Sequence, residues 1–214
     1  MKTAPIRLVA GHVLSKALHA YADWRIGATD AEKHCHKTSD SILLTFDDYG
    51  TAKEVDGILA ALAQHDIKAM FFLQGDWAEK QPELVKRIAK AGHVIGNHTY
   101  SHAVLLPLDD QAAAAEITHG VKSTWLRPPE GRYNKRIRRL AARLGYRICY
   151  WTIDSRDWTG ASVETMRHTI VSEVQPGAVI LFHLHGTHTR ELLPIIIPEI
   201  QARGLTLTAH DEAW

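Results

Sequence analysis

Long apolar runs, cysteines, internal repeats and net charge are all scarce in this sequence of 214 residues. No stretch approaches the ~18 consecutive apolar residues that a membrane-spanning helix needs, which excludes such a span. Cys35 and Cys149 are the only cysteines. Two are too few for a disulfide framework and do not form a CxxC metal pair. Cys149 lies in an apolar run and reads as an inert core thiol; a Cys35–Cys149 bridge stays open, because geometry decides it and spacing does not. A formal net charge of +1 gives no bulk attraction to nucleic acid or to a membrane surface. Repeats, low-complexity tracts and linkers are missing, so one domain is expected. In the first twenty residues Lys2, Arg7, His12, Lys16 and His19 interrupt any signal-peptide core. These residues read instead as an amphipathic helix with Val9, Val13, Ala17, Leu18 and Tyr21 on one face. An exported form would have lost its signal or would carry it outside this chain.

What is present is a proper core, with 45% hydrophobic and 23% charged residues, and fourteen histidines. Histidine is the commonest metal ligand, although composition alone does not gather them. After a polar connection over Gly27–Ser39, apolar runs alternate with helical patterns. Strands are expected near Ile42–Phe46, Lys68–Leu73, His93–Asn97, Thr124–Arg127, Tyr146–Ile153, Ala178–Phe182 and Leu205–Thr208. Helices are expected after Gly50–Thr51, over Gln81–Ala91, from an Asp109 cap to about Lys122, and over Asn134–Leu144, Ser162–Val174 and Glu191–Arg203. Seven strands alternating with six helices predict parallel βα units, an α/β single-domain barrel of distorted (β/α)7 type. The boundaries are residues 1–40 for the N-terminal helix and loop and 41–214 for the βα domain.

The stretch SILLTFDDYG, Ser41–Gly50, carries the strongest signal. An apolar strand runs into Asp47 and Asp48, and two carboxylates at the end of a buried strand are costly unless they have partners. Neighbouring strand residues point to opposite sides, so the two can hold different roles. Other strands end in HTYSH, RPPEG, DSRD and HLH. Active sites of barrels lie at the carboxyl ends of the strands, which is where these clusters converge. His98 and His102, four apart, would share one side of a helical turn. With one carboxylate they make a three-ligand set for a catalytic divalent ion. Such an ion lowers the pKa of water and polarises a carbonyl.

TFDDYG, HTYSH, RPPEGRYN, DSRDW and ILFHLH resemble, in order, the five motifs of the polysaccharide deacetylases, the NodB-homology family 4 carbohydrate esterases. The resemblance covers about Ser41–Thr208. It implies a metal-dependent hydrolase that removes acetyl groups from N-acetylglucosamine-containing polymer or oligomer of peptidoglycan or chitin type. Asp48, His98 and His102 match the metal ligands, with zinc the expected ion and cobalt the alternative. Asp47 matches the general base toward metal-activated water, and Arg127 the arginine that keeps it ionised. His183 matches the general acid, and Asp154 the carboxylate that holds this histidine. Trp158 and Leu181 match the apolar walls around the acetyl methyl group.

Several positions depart from the family pattern. Tyr49 stands where glycine commonly follows the second aspartate, and is read as a wall of the substrate groove. Glu130 replaces an aromatic residue and would alter sugar contacts. Leu184, His185 and Ala103 also differ from the common residues. His34, His36, His185 and His188 are read as surface or supporting residues, their spacing matching no metal pattern. The basic stretch Arg132–Arg147 reads as a solvated helix face, with a dock for anionic polymer as the sharper alternative. Rival functions are an O-acetyl esterase on acetylated xylan, an amidohydrolase on a small non-sugar amide, and a carbohydrate-binding relic without turnover. The expected partner is an acetylated glycan, with no nucleic acid, no membrane span and a monomeric state. Family resemblance places the protein in the envelope or outside the cell; the N-terminus shows no export signal, so the cytoplasm stays the alternative.

Overall fold

The computed structural model describes residues 29–33, 35 and 41–208; the amphipathic helix expected in the first twenty residues lies outside them. Its centre is β1, Ser41–Asp48, buried along its whole length. Parallel partners flank it: β2 (Met70–Leu73) on one side and β7 (Val179–His183) on the other. The remaining strands are β3 (Val94–Asn97), β4 (Trp125–Leu126), β5 (Arg147–Ile148), β6 (Ile153–Asp154) and β8 (Thr206–Leu207). The sheet runs β5-β4-β3-β2-β1-β7-β6, with β8 paired to the start of β1.

The strand expected over Tyr146–Ile153 is therefore two strands, at opposite ends of the sheet. Laid flat, seven strands ~4.8 Å apart would separate their outer members by about 29 Å. Five residue steps from Ile148 to Ile153 reach at most ~18 Å. The sheet can satisfy that connection only by curling, which gives the distorted barrel. The crossing segment does not join a ladder over its length. The Cys149 amide bonds Leu126 of β4, the Thr152 amide bonds Val179 of β7, and the carbonyls of Cys149 and Tyr150 turn to Arg127.

The two faces of β1 follow its period of two. Ile42, Leu44 and Phe46 pack outward, with Phe71, Ile180 and Phe182, under α1 (Ala52–Gln64), α6 (Val163–Glu173) and α7 (Thr189–Ala202). Leu43 faces inward with Met70, Phe72, Trp125, Cys149 and Val179. Both faces of a parallel sheet are covered, so its strands are apolar throughout. The α1 start is a capping box in which Thr51 and Glu54 satisfy each other's backbone amides.

A short helix, α2 (Gly75–Lys80), was not legible in the sequence, because six residues show too little periodicity. It ends at Gln81, whose non-helical backbone ahead of Pro82 separates it from α3, Pro82–Lys90. Helix α4, Asp110–His119, is capped by Asp109 as expected, and stops short of Lys122. Helix α5, Lys135–Arg143, begins after Asn134. Its basic residues are largely fold anchors. Arg136 pairs with Asp110 at 2.7 Å and donates to the carbonyls of Leu105, Leu106 and Leu108. Arg138 grips Glu32, whose carboxylate also accepts from Tyr133.

The described residues ahead of β1 are tied to the barrel through Glu32 and through Cys35. Glu32 sits in one helical turn, Asp30–Lys33, inside the polar connection expected there, and its carbonyl accepts from the Tyr150 amide. Cys35 and Cys149 form a disulfide, with Cα atoms 5.1 Å apart across 114 positions of sequence. Cys149 is thus a cross-linked residue and not the inert thiol expected.

Candidate active site

Register builds the centre of the site. Asp47 lies opposite His183 across the β1–β7 pair, and opposite Phe72 across β1–β2. Its side chain points into the barrel, where Arg127 is fully buried. Arg127 Nη1 donates to Asp47 Oδ1 at 2.7 Å and to Thr45 Oγ1 at 2.8 Å. Its other nitrogens donate to the carbonyls of Cys149 and Tyr150, and its Cζ lies 4.2 Å from the centroid of the Phe72 ring. A buried guanidinium is tolerated because the carboxylate and these carbonyls replace its water.

Asp48 would point away from Asp47 if the strand stayed regular. Its φ of 77° ends that regularity and brings its carboxylate to the same mouth. Asp48 Oδ1 lies 3.2 Å from Nε2 of both His98 and His102. Gln74 donates to the same oxygen. The ligand atoms of Asp48, His98 and His102 all lie within 4.8 Å of one another. The helical turn expected over His98–His102 is not formed. Thr99 and His102 both have positive φ, 65° and 62°, so a strained loop aims the imidazoles instead. That loop is anchored from α4. Asn97 accepts from the Thr99 amide and donates to the Ile117 carbonyl, while Glu116 accepts from the amide and hydroxyl of Ser101.

The donor set fits a divalent ion. His98 Nδ1 lies 2.7 Å from the carbonyl oxygen of Arg127, which only accepts, so Nδ1 carries the proton and Nε2 presents a lone pair. Two imidazoles and one carboxylate make the three-protein-ligand pattern of a catalytic site. Burial opposes the charge on Asp48, yet the hydrogen bond from His102 holds its carboxyl well below the usual range.

His183 closes the pocket at the end of β7. Its Nδ1–H donates to Asp157 Oδ1 at 2.7 Å, and its amide donates to Asp157 Oδ2 at 2.8 Å. Burial works against an imidazolium there, but the bond to Asp157, with the charges of Asp157, Asp47 and Asp48, outweighs it and raises His183 to about 9. The partner of His183 is therefore Asp157, not Asp154. Asp154 lies opposite Leu181, two residues short of His183 in the β6–β7 register. The chain then turns through Arg156, at a φ of 62°, and folds Asp157 back under the imidazole. Thr189 donates to Asp157 as well. A side chain on Gly186 would collide with that carboxylate, which explains glycine at this position. Asp154 instead accepts from the Arg156 amide and from Trp158 Nε1. The first aspartate of DSRDW looked suitable in sequence; only the turn decides between the two.

These groups surround one cavity of about 510 Å³, lined also by Glu130, Trp151, Asp154, Trp158, Leu181 and His185. Trp158 is 59% exposed at its rim and Leu181 is buried in its wall. Glu130, at a φ of 56°, presents its carboxylate beside Arg132. Tyr49 does not line the cavity itself; its ring stacks on His185, with centroids 4.9 Å apart. Gln74 and Thr189 support the site without any motif signal, whereas Thr45 opens TFDDYG and Asp157 is the second aspartate of DSRDW. His188 pairs with Glu191 at 2.8 Å, and His34 and His36 lie outside the described residues.

Comparison with known proteins identifies the family of the chain. Residues 35–149 match the family described as polysaccharide deacetylase. A peptidoglycan-N-acetylglucosamine deacetylase of Bacillus cereus is 37% identical over 176 residues, 76% of this chain and 64% of its own length. The solved structure of a peptidoglycan N-acetylglucosamine deacetylase superposes with a TM-score of 0.76 at 34% identity, covering 79% of this chain and 86% of that one. A CE4-family pseudoenzyme of Bacillus anthracis superposes with a TM-score of 0.75 at 25% identity, covering 81% of this chain and 64% of that one. This chain spans between half and two thirds of the length of the curated relatives it matches first, 64% and 50%.

Proposed function

This chain belongs to the polysaccharide deacetylase family, and from that premise we propose that it is a metal-dependent hydrolase removing acetyl groups from N-acetylglucosamine units of peptidoglycan or chitin-type glycan. The observation that carries the reading is the meeting, in one cavity, of a carboxylate–bis-imidazole ligand set with a separately held base and acid. A fold that also serves a pseudoenzyme carries no activity by itself, so the residues must.

Asp48, His98 and His102 would hold the ion, zinc by preference for this nitrogen and oxygen set. When bound it supplies a Lewis acid for the acetyl carbonyl and lowers the pKa of water. Asp47 is the general base. Arg127 occupies its Oδ1, which leaves Oδ2 to accept a proton from the attacking water. The carbon–nitrogen bond of the acetamide breaks, and the electron pair leaves on nitrogen. His183 Nε2, charged because Asp157 holds Nδ1–H, gives that nitrogen its proton. The products are acetate and a free amine, and no covalent link to the protein forms. Trp158 and Leu181 are suited to enclose the acetyl methyl, with Trp158 oriented by Asp154. The disulfide fits an oxidising, extracytoplasmic compartment.

Acetate release from N-acetylglucosamine oligomers by metal-stripped protein, with and without zinc or cobalt, tests the reading beside Asp47→Ala. Metal-restored release that Asp47→Ala abolishes is expected. Stoichiometric metal binding with no release from glycan amides would overturn it, and release from acetylated xylan alone would make the protein an esterase.

A further inference from the structure

His185 and Tyr49 are both departures from the family pattern, and the structure puts them in contact with each other and with the proposed ion site. The imidazole of His185 lies nearly parallel to the Tyr49 ring, at 7° and 4.9 Å. Its Nδ1 is buried, has no hydrogen-bond partner, and lies 3.7 Å from Asp48 Oδ2. That oxygen is the one that His98 and His102 do not approach, since both lie 3.2 Å from Oδ1. A buried ring nitrogen without a partner is costly. The carboxylate oxygen it faces is Asp48 Oδ2, 3.7 Å away and within reach after a small rotation of either side chain.

We infer that His185 is a positioning residue for the ion site: its Nδ1–H secures Asp48 Oδ2, so that Oδ1 is the oxygen presented with the two histidines. Tyr49 clamps the imidazole by stacking and fixes its plane toward Asp48. The carboxylate thus acts as a single-oxygen ligand, and Tyr49 acts through His185 instead of touching the acetyl group. Partners of ligating carboxylates typically contribute 10–100-fold to metal affinity. This inference rests on the ion-site reading above, and not on whether the glycan is deacetylated.

The test is the affinity of the metal-stripped full chain for Zn2+ and Co2+, measured by chelator competition. His185→Ala is expected to weaken binding by about 10–100-fold. His185→Asn places an N–H donor two bonds beyond Cβ, as His Nδ1 does, and is expected to recover most of that loss. Tyr49→Ala should weaken binding by a smaller factor, and Tyr49→Phe should bind like the parent. Parent-like affinity in His185→Ala would overturn the proposal. So would a Co2+ absorption spectrum that loses a ligand in His185→Ala and does not regain it in His185→Asn, because His185 would then coordinate directly. Asp48→Asn is the control that must lose binding. Parent protein that binds no metal removes this inference along with the ion site, whereas tight binding without acetate release sinks only the proposed activity.

Discussion

Asp48 and Asp157 both owe their roles to a backbone angle no motif encodes. Asp48 turns toward Asp47 through its own positive φ, and Asp157 folds under His183 through that of Arg156. Asp157→Asn keeps the shape and removes the charge that raises His183. The folded pKa of His183 lies above its unfolded value, so its proton is held fully below about 6.5 and lost as pH rises through about 9. The expected outcome is an alkaline limb of the rate profile displaced to lower pH, with kcat reduced more than KM. An unchanged limb would remove Asp157 from this role. His93 behaves in the opposite sense. Burial, with the nearby charge of Lys68, lowers it to about 4, and its Nδ1 accepts from the Ala69 amide. The unfolded chain then binds more protons between pH 4 and 6.5, so stability falls as pH drops through that window. The slope reaches at most about 1.4 kcal/mol per pH unit for one proton. Urea midpoints across pH 7 to 4 should decline less steeply in His93→Asn, whose side-chain carbonyl can accept the same amide without titrating.

Among the elements, the segment between β5 and β6 does most to join stability to function. It closes the barrel, carries Cys149 of the disulfide, and offers two carbonyls to Arg127. Cross-linking across 114 positions of sequence restricts the unfolded chain, and removing such a bridge typically costs about 2–5 kcal/mol. Cys35→Ser should lower the unfolding free energy by that amount in calorimetry, and reductant should do the same to the parent but not to the variant. Equal stability of parent and variant would mean that the Glu32 network alone holds the turn Asp30–Lys33. Helix α1 is a more local case: Thr51→Ala breaks its capping box and is expected to cost about 1 kcal/mol. The helix and its start after Gly50–Thr51 were legible in sequence, since the apolar spacing is local. The division of Tyr146–Ile153 into two strands was not, because one apolar run suits a single strand equally well. What divides it is the closure of the whole sheet.

For the whole molecule, the curl of the sheet delivers five loop clusters to one cavity, and a bound ion should tie two of them together. Asp48, His98 and His102 come from the ends of β1 and β3, so an ion there favours the folded over the unfolded chain. At an ion concentration 100 times the dissociation constant the gain is about 2.7 kcal/mol, or roughly 5–10 °C in Tm for a chain of this size. Scanning calorimetry with and without Zn2+ checks it; the shift should vanish in Asp48→Asn. The linear chain by itself determined the βα alternation, the apolar faces, and the clustering of Asp47, Asp48, His98, His102, Arg127 and His183 at strand ends. Those features are written in residue type and spacing, which local physics reads directly. The tertiary structure decided that Asp157 and not Asp154 holds His183, that a strained loop and not a helical turn aims the histidines, and that Cys35 reaches Cys149. It also set Tyr49 and His185 face to face beside Asp48. Each of these depends on positive backbone angles or on contacts distant in sequence, whose geometry exists only once the sheet has closed.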